Sequence, residues 1–319
     1  MRTTVEATEA NVAVARIAVP ARRPQLGMTV LALGCVWILW GSTFAAIHIA
    51  SATIPVYLMV ATRFTIAGLI LWAVCLALGR GAPSRTDWRR ALVTGATLLL
   101  LGNAVTAWST QFVPTGLCSL LLCLPPIWMA LLTFAFPRAR PTRAATIGML
   151  LGLGGMTLLL QPSVTGHLPL LPTAALIFGS IFWAFGSIYA RRDATSNVLL
   201  ATALQMLVGG ALIGIESALF GEWRRFDLAA VSTTSLLGFA WLIVVGSLFA
   251  YSAYLWTMQN LPPSLASTYA YVNPVVSLIL GAVLFGERLS PLAIVASIVI
   301  VGGVALMMIP VSRTTTVSS

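Results

Sequence analysis

One arginine, Arg63, stands inside a long apolar stretch, where a charged side chain needs a partner. It lies eight residues into the segment 55–78, which is roughly 12 Å along a helix axis. A charge at that depth is tolerated when it faces a bundle interior or a wet cavity and finds acceptors. Two roles fit these demands. Arg63 is either an anchor for the carboxylate of a bound molecule or a structural clamp on helix-end carbonyls and neighbouring hydroxyls.

Amide and aromatic side chains form a second group of candidates. Asn103 and Gln111 are expected to point inward, because an amide in apolar surroundings must bind backbone or a ligand. Trp183 is suited to an aromatic wall that attracts cations and rings, although packing alone explains it equally well. We predict the following small-molecule-binding residues: Arg63, Asn103, Trp183, Ser42, Thr43, Gln111, Tyr254, Tyr269 and Asn273.

Two prolines, Pro126 and Pro274, are expected to break helices close to these residues. Proline has no backbone N–H, so Pro274 frees a carbonyl one turn back, near Ala270. Broken helices in membrane proteins expose such carbonyls to cargo where they line a cavity. The sequence therefore predicts helix breaks or gates at Pro126 and Pro274, with a kink needed only for packing as the alternative.

The titratable residues do not form a catalytic or metal-binding set. His48 and His167 stand alone, and no phosphate-binding loop motif is present. Glu287 precedes a predicted helix start and is interpreted as a structural cap, since a carboxylate is favoured beside a helix N-terminus. The four cysteines lie in apolar segments without metal-ligand spacing: Cys35, Cys75, Cys118 and Cys123. We expect no enzymatic activity, no metal and no cofactor.

The composition identifies lipid as the solvent of this chain. Of its 319 residues, 59% are hydrophobic and only 8% are charged, too few charges for the surface of a soluble protein. The net charge is +10, and all 18 basic residues are arginine. These arginines cluster between apolar runs, as topology signals do, so the lipid bilayer and not nucleic acid is the expected partner.

The apolar runs predict an all-α membrane protein with ten transmembrane helices, each of about 20 residues. No segment alternates as a strand does, which excludes a barrel. The predicted helices are 28–48, 55–78, 89–109, 115–136, 143–160, 171–190, 196–219, 233–257, 264–285 and 291–310.

The arginines predict the orientation of these helices. Fourteen of seventeen loop or tail arginines lie on one side of the predicted membrane, counting Arg191 and Arg192 as loop residues. The positive-inside rule makes that side cytoplasmic. The tails 1–27 and 311–319 are therefore expected in the cytoplasm, and the chain in the inner membrane of a bacterium.

An internal repeat relates the two halves of the chain. Residues 108–160 align with 256–308 at a constant shift of 148 without a gap, and a shift of 145 pairs Gly41-Ser42 with Gly186-Ser187. Each unit contains five helices, an odd number, so the second copy enters the membrane upside down. Inverted repeats of this kind support alternating access around a central cavity. We predict one repeat over 28–160 and the other over 171–310.

Small residues are expected to bring helices 5 and 10 together, because glycine allows close approach of two backbones. Contact within one monomer is the first interpretation, and dimerisation through the same residues is the alternative. The glycines concerned are Gly148, Gly152, Gly154, Gly155, Gly302 and Gly303.

Several motifs resemble one family. They are Trp40-Gly41-Ser42-Thr43-Phe44, Arg63-Phe64, Trp183-Ala184-Phe185-Gly186-Ser187, Tyr269-Ala270-Tyr271-Val272-Asn273-Pro274-Val275-Val276 and Gly286-Glu287. Over about 28–310 the chain is similar to the EamA-type drug/metabolite transporters, most of all to their YedA-like branch, and is related to the YddG-type amino-acid exporters. The resemblance implies a basket-shaped ten-helix fold with a central cavity open to one side.

The resemblance and the repeat together predict a transporter that exports small metabolites by facilitated alternating access. Amino acids, aromatic or large and neutral, are the first expected cargo. A proton-coupled drug/metabolite antiporter and an importer of another small solute are alternatives, and a channel or a non-transporting receptor is a more distant one. A monomer is the expected oligomeric state, with a dimer as the alternative.

Overall fold

The computed structural model describes residues 25–80, 82–109, 112–113, 121–134, 142–160, 169–192, 197–285 and 290–308. Regular structure in these ranges is helical throughout, and no strand occurs in them. Helices satisfy their own backbone hydrogen bonds, which is what a segment in hydrocarbon requires.

Ten long helical segments follow one another along the described chain. They are α1 (Leu26–Ser51), α2 (Val56–Ala77), α3 (Arg85–Ser109), α4 (Pro125–Phe134), α5 (Arg143–Leu160), α6 (Leu170–Arg192), α7 (Val198–Leu219), α8 (Thr233–Asn260), α9 (Tyr269–Phe285) and α10 (Pro291–Met308). Short helical turns at Glu222–Arg225, Leu228–Ala230 and Pro263–Ala266 connect some of them. Seven of the long segments (α1, α2, α3, α6, α7, α8 and α10) are long and apolar enough to cross a membrane.

The two halves begin their corresponding helices with corresponding caps. Ser84 accepts a hydrogen bond from the backbone N–H of Asp87 at the start of α3, and Ser232, 148 positions later, accepts one from Ser235 at the start of α8. Side-chain oxygens in this position satisfy backbone donors that lack a partner within the helix.

The same correspondence appears between α5 and α10. The Thr142 hydroxyl accepts from the N–H of Ala145 at 3.0 Å, and that of Ser290 accepts from the N–H of Ala293 at 3.1 Å. Glu287, the predicted cap of this last helix, lies outside the described residues. Ser290 caps the start of α10.

Helices α2 and α7 pack against each other through reciprocal glycine contacts. A methyl group added at Gly68 would lie 3.0 Å from the carbonyl oxygen of Ala203, and one at Gly210 would lie 3.0 Å from that of Ala61. The two contacts are equivalent, because Gly210 lies 142 positions after Gly68 and Ala203 lies 142 positions after Ala61. Low numbers on α2 contact high numbers on α7, so the two helices run antiparallel.

Helices α5 and α10 repeat this arrangement. A methyl group at Gly155 would lie 3.1 Å from the carbonyl oxygen of Ala296, and one at Gly303 would lie 2.7 Å from that of Gly148. The two contacts are equivalent in the repeat, because Gly303 lies 148 positions after Gly155 and Ala296 lies 148 positions after Gly148. They too run in opposite directions along the chain, so this pair is antiparallel and closely packed.

Close packing makes Gly155 sensitive to substitution. We expect Gly155→Ala to destabilise the protein by about 1–3 kcal/mol, the usual cost of overpacking. A methyl group there would meet Ile300 Cγ1 at 2.7 Å. Melting temperature in detergent is the measurement. The neighbouring Gly154→Ala is the matched control, because nothing lies within 4 Å of its added methyl. Equal melting of both variants would contradict the packing.

The fourth predicted helix, 115–136, differs in the structure. Residues 114–120 and 135–141 lie outside the described residues, and the chain is not helical at 122–124. The described helix α4 begins at Pro125. Pro126 therefore lies in the first turn, where a missing N–H costs nothing because the first N–H groups of a helix have no partner. It starts this helix and does not kink its interior.

The prediction that Arg191 and Arg192 belong to a loop also needs correction. Both lie within α6, and the Arg191 side chain is only 3% exposed. Arg63 is thus not the only arginine that is buried within a helix of the described chain. The apolar pattern missed this because the burial of an arginine at a helix end depends on nearby carbonyls that accept its hydrogen bonds, and hydropathy does not report those carbonyls.

Candidate functional site

Four helices bring five aromatic rings together in one buried cluster, which we call the aromatic cluster. Trp40 of α1 lies at its centre, with ring centroids at 5.8 Å to Trp183, 5.9 Å to Tyr251, 5.1 Å to Tyr254 and 5.2 Å to Tyr269. Four of the side chains are at most 8% exposed, and Trp183 is half-buried. Tilted and edge contacts at these distances are favourable beyond burial.

Hydrogen bonds connect the polar edges of this cluster. The Trp183 indole donates to the Tyr269 hydroxyl at 2.7 Å, and the Ser187 hydroxyl donates to the Trp183 carbonyl at 2.7 Å. Ser187 also bonds the Tyr254 hydroxyl. A serine hydroxyl has one proton, so Tyr254 is the donor in that pair. The bonds fix the orientation of α6 relative to α8 and α9.

Arg63 lies buried next to the cluster, at 2% exposure. Its Nε donates to the Ser247 hydroxyl of α8 at 3.0 Å, and its guanidinium carbon lies 4.5 Å from the centroid of the Phe64 ring. No carboxylate among the described residues forms a salt bridge with Arg63. Within the same part of the chain, the guanidinium makes one hydrogen bond, the one to Ser247. Four of the five guanidinium N–H groups are thus left for other acceptors.

A second buried polar contact lies at the edge of the aromatic cluster. Gln205 of α7 donates its side-chain amide to the Tyr251 hydroxyl. Tyr251 stands one turn after Ser247 on α8, and its ring centroid lies 6.0 Å from that of Phe64. Both Gln205 and Tyr251 are at most 2% exposed. Helices α2, α7 and α8 therefore hold the cation and the rings in adjacent layers.

Pro274 leaves one backbone carbonyl of α9 without its intrahelical donor. It lies inside α9, and the carbonyl of Ala270, one turn back, accepts a hydrogen bond from the Cys123 thiol at 3.0 Å. A protein group thus occupies the freed carbonyl. Asn273 is 6% exposed, and with its amide nitrogen facing α1 it donates to the carbonyl of Trp37 at 3.0 Å.

The Trp37 carbonyl that accepts from Asn273 lies in a π-helical turn of α1. Residues Cys35–Leu39 form a π-helical turn, as do Gly95–Ala104 of α3 and Leu242–Tyr251 of α8. The turns in α3 and α8 occupy nearly equivalent places in the two repeats. Such turns are frequent at functional sites, because they reorient carbonyls and side chains.

The structure brings some predicted residues together and separates others. Trp183, Tyr254 and Tyr269 meet in the aromatic cluster, with Arg63 in the next layer. The Ser42 and Thr43 hydroxyls donate to carbonyls of their own helix at 2.6 Å each. The remaining two are Asn103, which is half-buried on the π-helical part of α3, and Gln111, which lies outside the described residues.

Sequence reasoning missed five residues as members of the site: Trp40, Ser187, Gln205, Ser247 and Tyr251. A signal for the last two was present, since Ser247, Tyr251 and Tyr254 recur at the spacing of one helix face. Trp40 and Ser187 lie within the motifs that resemble the family. Neither these motifs nor the position of Gln205 predicts the contacts, because only tertiary packing places these side chains beside the rings.

Comparison with known proteins agrees with the tandem arrangement. The model of the EamA-like transporter family matches residues 27–161 and again residues 171–309. A solved crystal structure of a protein 22% identical in sequence has a TM-score of 0.75, covering 89% of this chain and 98% of that one. This second likeness concerns the fold alone.

Curated relatives are similar over most of their length. The uncharacterized inner membrane transporter YedA of Escherichia coli (strain K12) is 35% identical over 86% of this chain and 89% of its own. The uncharacterized transporter YvbV of Bacillus subtilis (strain 168) is 21% identical over 88% and 91%. A probable terminal-alkyne amino-acid exporter of Streptantibioticus cattleyicolor is 24% identical over 89% and 94%.

Proposed function

Because the chain belongs to the EamA-like transporter family, we propose that it exports small amphipathic metabolites across the bacterial inner membrane. Amino acids, aromatic or large and neutral, are the first cargo class. The YedA relative supports the location by its name, and the terminal-alkyne amino-acid exporter supports the cargo class. The resemblance seen in the sequence motifs is thereby confirmed at the level of the family.

The proposed architecture is ten membrane helices in two inverted repeats around a central cavity. The antiparallel packing of α2 with α7 and of α5 with α10 supports it, since each pair joins equivalent helices of the two halves. Only an axis within the membrane plane relates two helices that run in opposite directions. The arginine distribution supports cytoplasmic termini.

Arg63 is the observation that carries the cargo proposal. A buried cation without a paired carboxylate is costly, and its planar fork suits a carboxylate from outside the protein. The aromatic cluster next to it provides faces for an apolar or aromatic side chain. Carboxylate and side chain of an amino acid would then occupy adjacent layers.

Facilitated export down the cargo gradient is the proposed mechanism. Among the described residues, none of those that contact Arg63 or the rings of the aromatic cluster is a carboxylate. A neutral cargo would then move without an obligatory proton.

Reconstituted vesicles loaded with single radiolabelled amino acids test this function. We expect saturable efflux of aromatic or large neutral amino acids, and steady-state levels that barely change when a proton gradient is imposed. Saturation separates a transporter from a channel. Failure to move any amino acid would refute the cargo class, and strong proton-driven accumulation would favour the antiporter alternative. Vesicles without protein give the leak rate.

A further inference from the structure

The second halves of α6 and α8 are joined by buried polar contacts on successive turns. The Ser187 and Tyr254 hydroxyls are bonded to each other. One turn further along α6, Arg191 donates to the carbonyl of Met258 at 2.9 Å and to that of Leu261. Residue numbers rise together on the two helices, so they run parallel, and this seam closes the side at which both helices end.

Arg191 has the chemistry of a clamp at this point. The last carbonyls of a helix lack an intrahelical donor, and the end of α8 at Asn260 leaves such carbonyls at Met258 and Leu261. A cation there gains both charge-assisted hydrogen bonds and the favourable end of the helix dipole. With 3% of its surface exposed, the guanidinium is shielded from competing water.

The equivalent seam in the other repeat lies between α1 and α3, and its described residues do not make the corresponding contacts. Among residues of these helices that the structure describes, no side-chain hydrogen bond or ring contact joins α1 to α3. Ser42, the equivalent of Ser187, bonds Leu39 of its own helix and accepts from Trp241 of α8 at 3.1 Å. Thr106, the equivalent of Tyr254, donates to Gly102 within α3 at 2.6 Å.

We infer that Arg191 is the gating residue that holds the cytoplasmic side of the transport path closed, and that the structure is the outward-open state. In the opposite state the α6–α8 seam separates and α1 approaches α3, so that Ser42 and Thr106 come together. The residue equivalent to Arg191 is Ala46, which offers no clamp. The inference rests on the alternating access of the proposed function, and it makes the outward-open state the favoured one without cargo.

Two reporters test the gate without any cargo. Leu261→Cys, buried at the cytoplasmic mouth (3% exposed), is labelled from the cytoplasmic side with an impermeant maleimide in inside-out vesicles. The double variant Ser42→Cys/Thr106→Cys is tested for a cross-link, which forms only when the two α-carbons approach to within about 7 Å. Labelling is quantified at the reporter residue by mass spectrometry, so the native cysteines remain in place.

Arg191→Gln should raise labelling of Leu261→Cys at least about tenfold, because the loss of even one of the two charge-assisted hydrogen bonds has that effect, and it should promote the cross-link. Arg191→Lys, which keeps a cation among the carbonyls, should restore much of the closed state. Arg143→Gln, at an exposed arginine on the same predicted side, should change neither reporter. Unchanged labelling in Arg191→Gln, or an equal rise in Arg143→Gln, would overturn the inference.

If Arg191→Gln fails to fold, the test uses Ser42→Cys/Thr106→Cys combined with Leu261→Cys, with Arg191 intact. A cross-link between α1 and α3 should then expose the cysteine at position 261 to the cytoplasmic reagent. A cross-link that leaves this residue buried, or no cross-link at all, would refute the coupled gates. Neither reporter measures transport, so a working gate in a protein that moves no amino acid would reject the proposed cargo alone.

Discussion

Replacing Arg63 by lysine is expected to weaken the binding of carboxylate cargo by about 10- to 100-fold, the effect of losing hydrogen bonds to a charged group. Lysine keeps the positive charge but loses the planar fork that holds two carboxylate oxygens. The expected loss is specific to the carboxylate. Amino-acid amides, which have no anionic oxygens, should bind wild type and variant with similar weak affinity. Binding is measured by titration calorimetry in detergent.

If Arg63 is instead a structural clamp, a different result is expected. Arg63→Lys should then lower the melting temperature and the membrane yield before any specific loss of binding appears. Ser247→Ala is the matched control: it removes the acceptor of the Arg63 Nε and leaves the fork intact. If Ser247→Ala and Arg63→Lys lose stability and binding together, the guanidinium positions helices and the carboxylate role is refuted.

Much of the fold could be predicted because lipid imposes strong constraints on sequence. Apolar length marks spanning helices, and the gapless repeat carries over into structure: the caps at Ser84 and Ser232 and those at Thr142 and Ser290 recur at the same shift of 148. The non-helical residues 122–124 directly precede Pro125-Pro126, close to the break that the sequence predicts at Pro126. Hydropathy alone does not locate them, because apolar residues continue through this stretch.

The site was less predictable than the fold, as its two buried arginines show. Arg63 could be recognised because it interrupts an apolar run. Arg191 is followed by Arg192 at the end of an apolar run, a pattern that indicates a loop. Its burial depends on two carbonyls that lie 67 and 70 residues away, on the last turn of α8 and directly after it. Gln205 is similar, since an amide in a span predicts an inward direction but not its partner, the Tyr251 hydroxyl.

Trp40 and Trp183 belong to one aromatic cluster, but substitution should separate their roles. Trp40 is 8% exposed and touches four rings. Trp40→Ala should therefore cost about 3–5 kcal/mol of stability, as large aromatic truncations in cores do. Much of the variant should fail to reach the membrane, and the remainder should melt far below wild type in detergent.

Trp183→Ala should cost less stability, because its ring is only half-buried and part of its surface is already free of packing. If that free surface stacks on the cargo, the variant should bind aromatic amino acids about two- to tenfold more weakly, the effect of losing one aromatic pair, and aliphatic ones almost unchanged. Trp183→Phe keeps a ring while removing the indole donor to Tyr269, so it should retain most of the aromatic preference. An equal loss for aromatic and aliphatic cargo in Trp183→Ala would show that this residue only packs the helices, and the side-chain layer of the proposed site would then have to lie elsewhere.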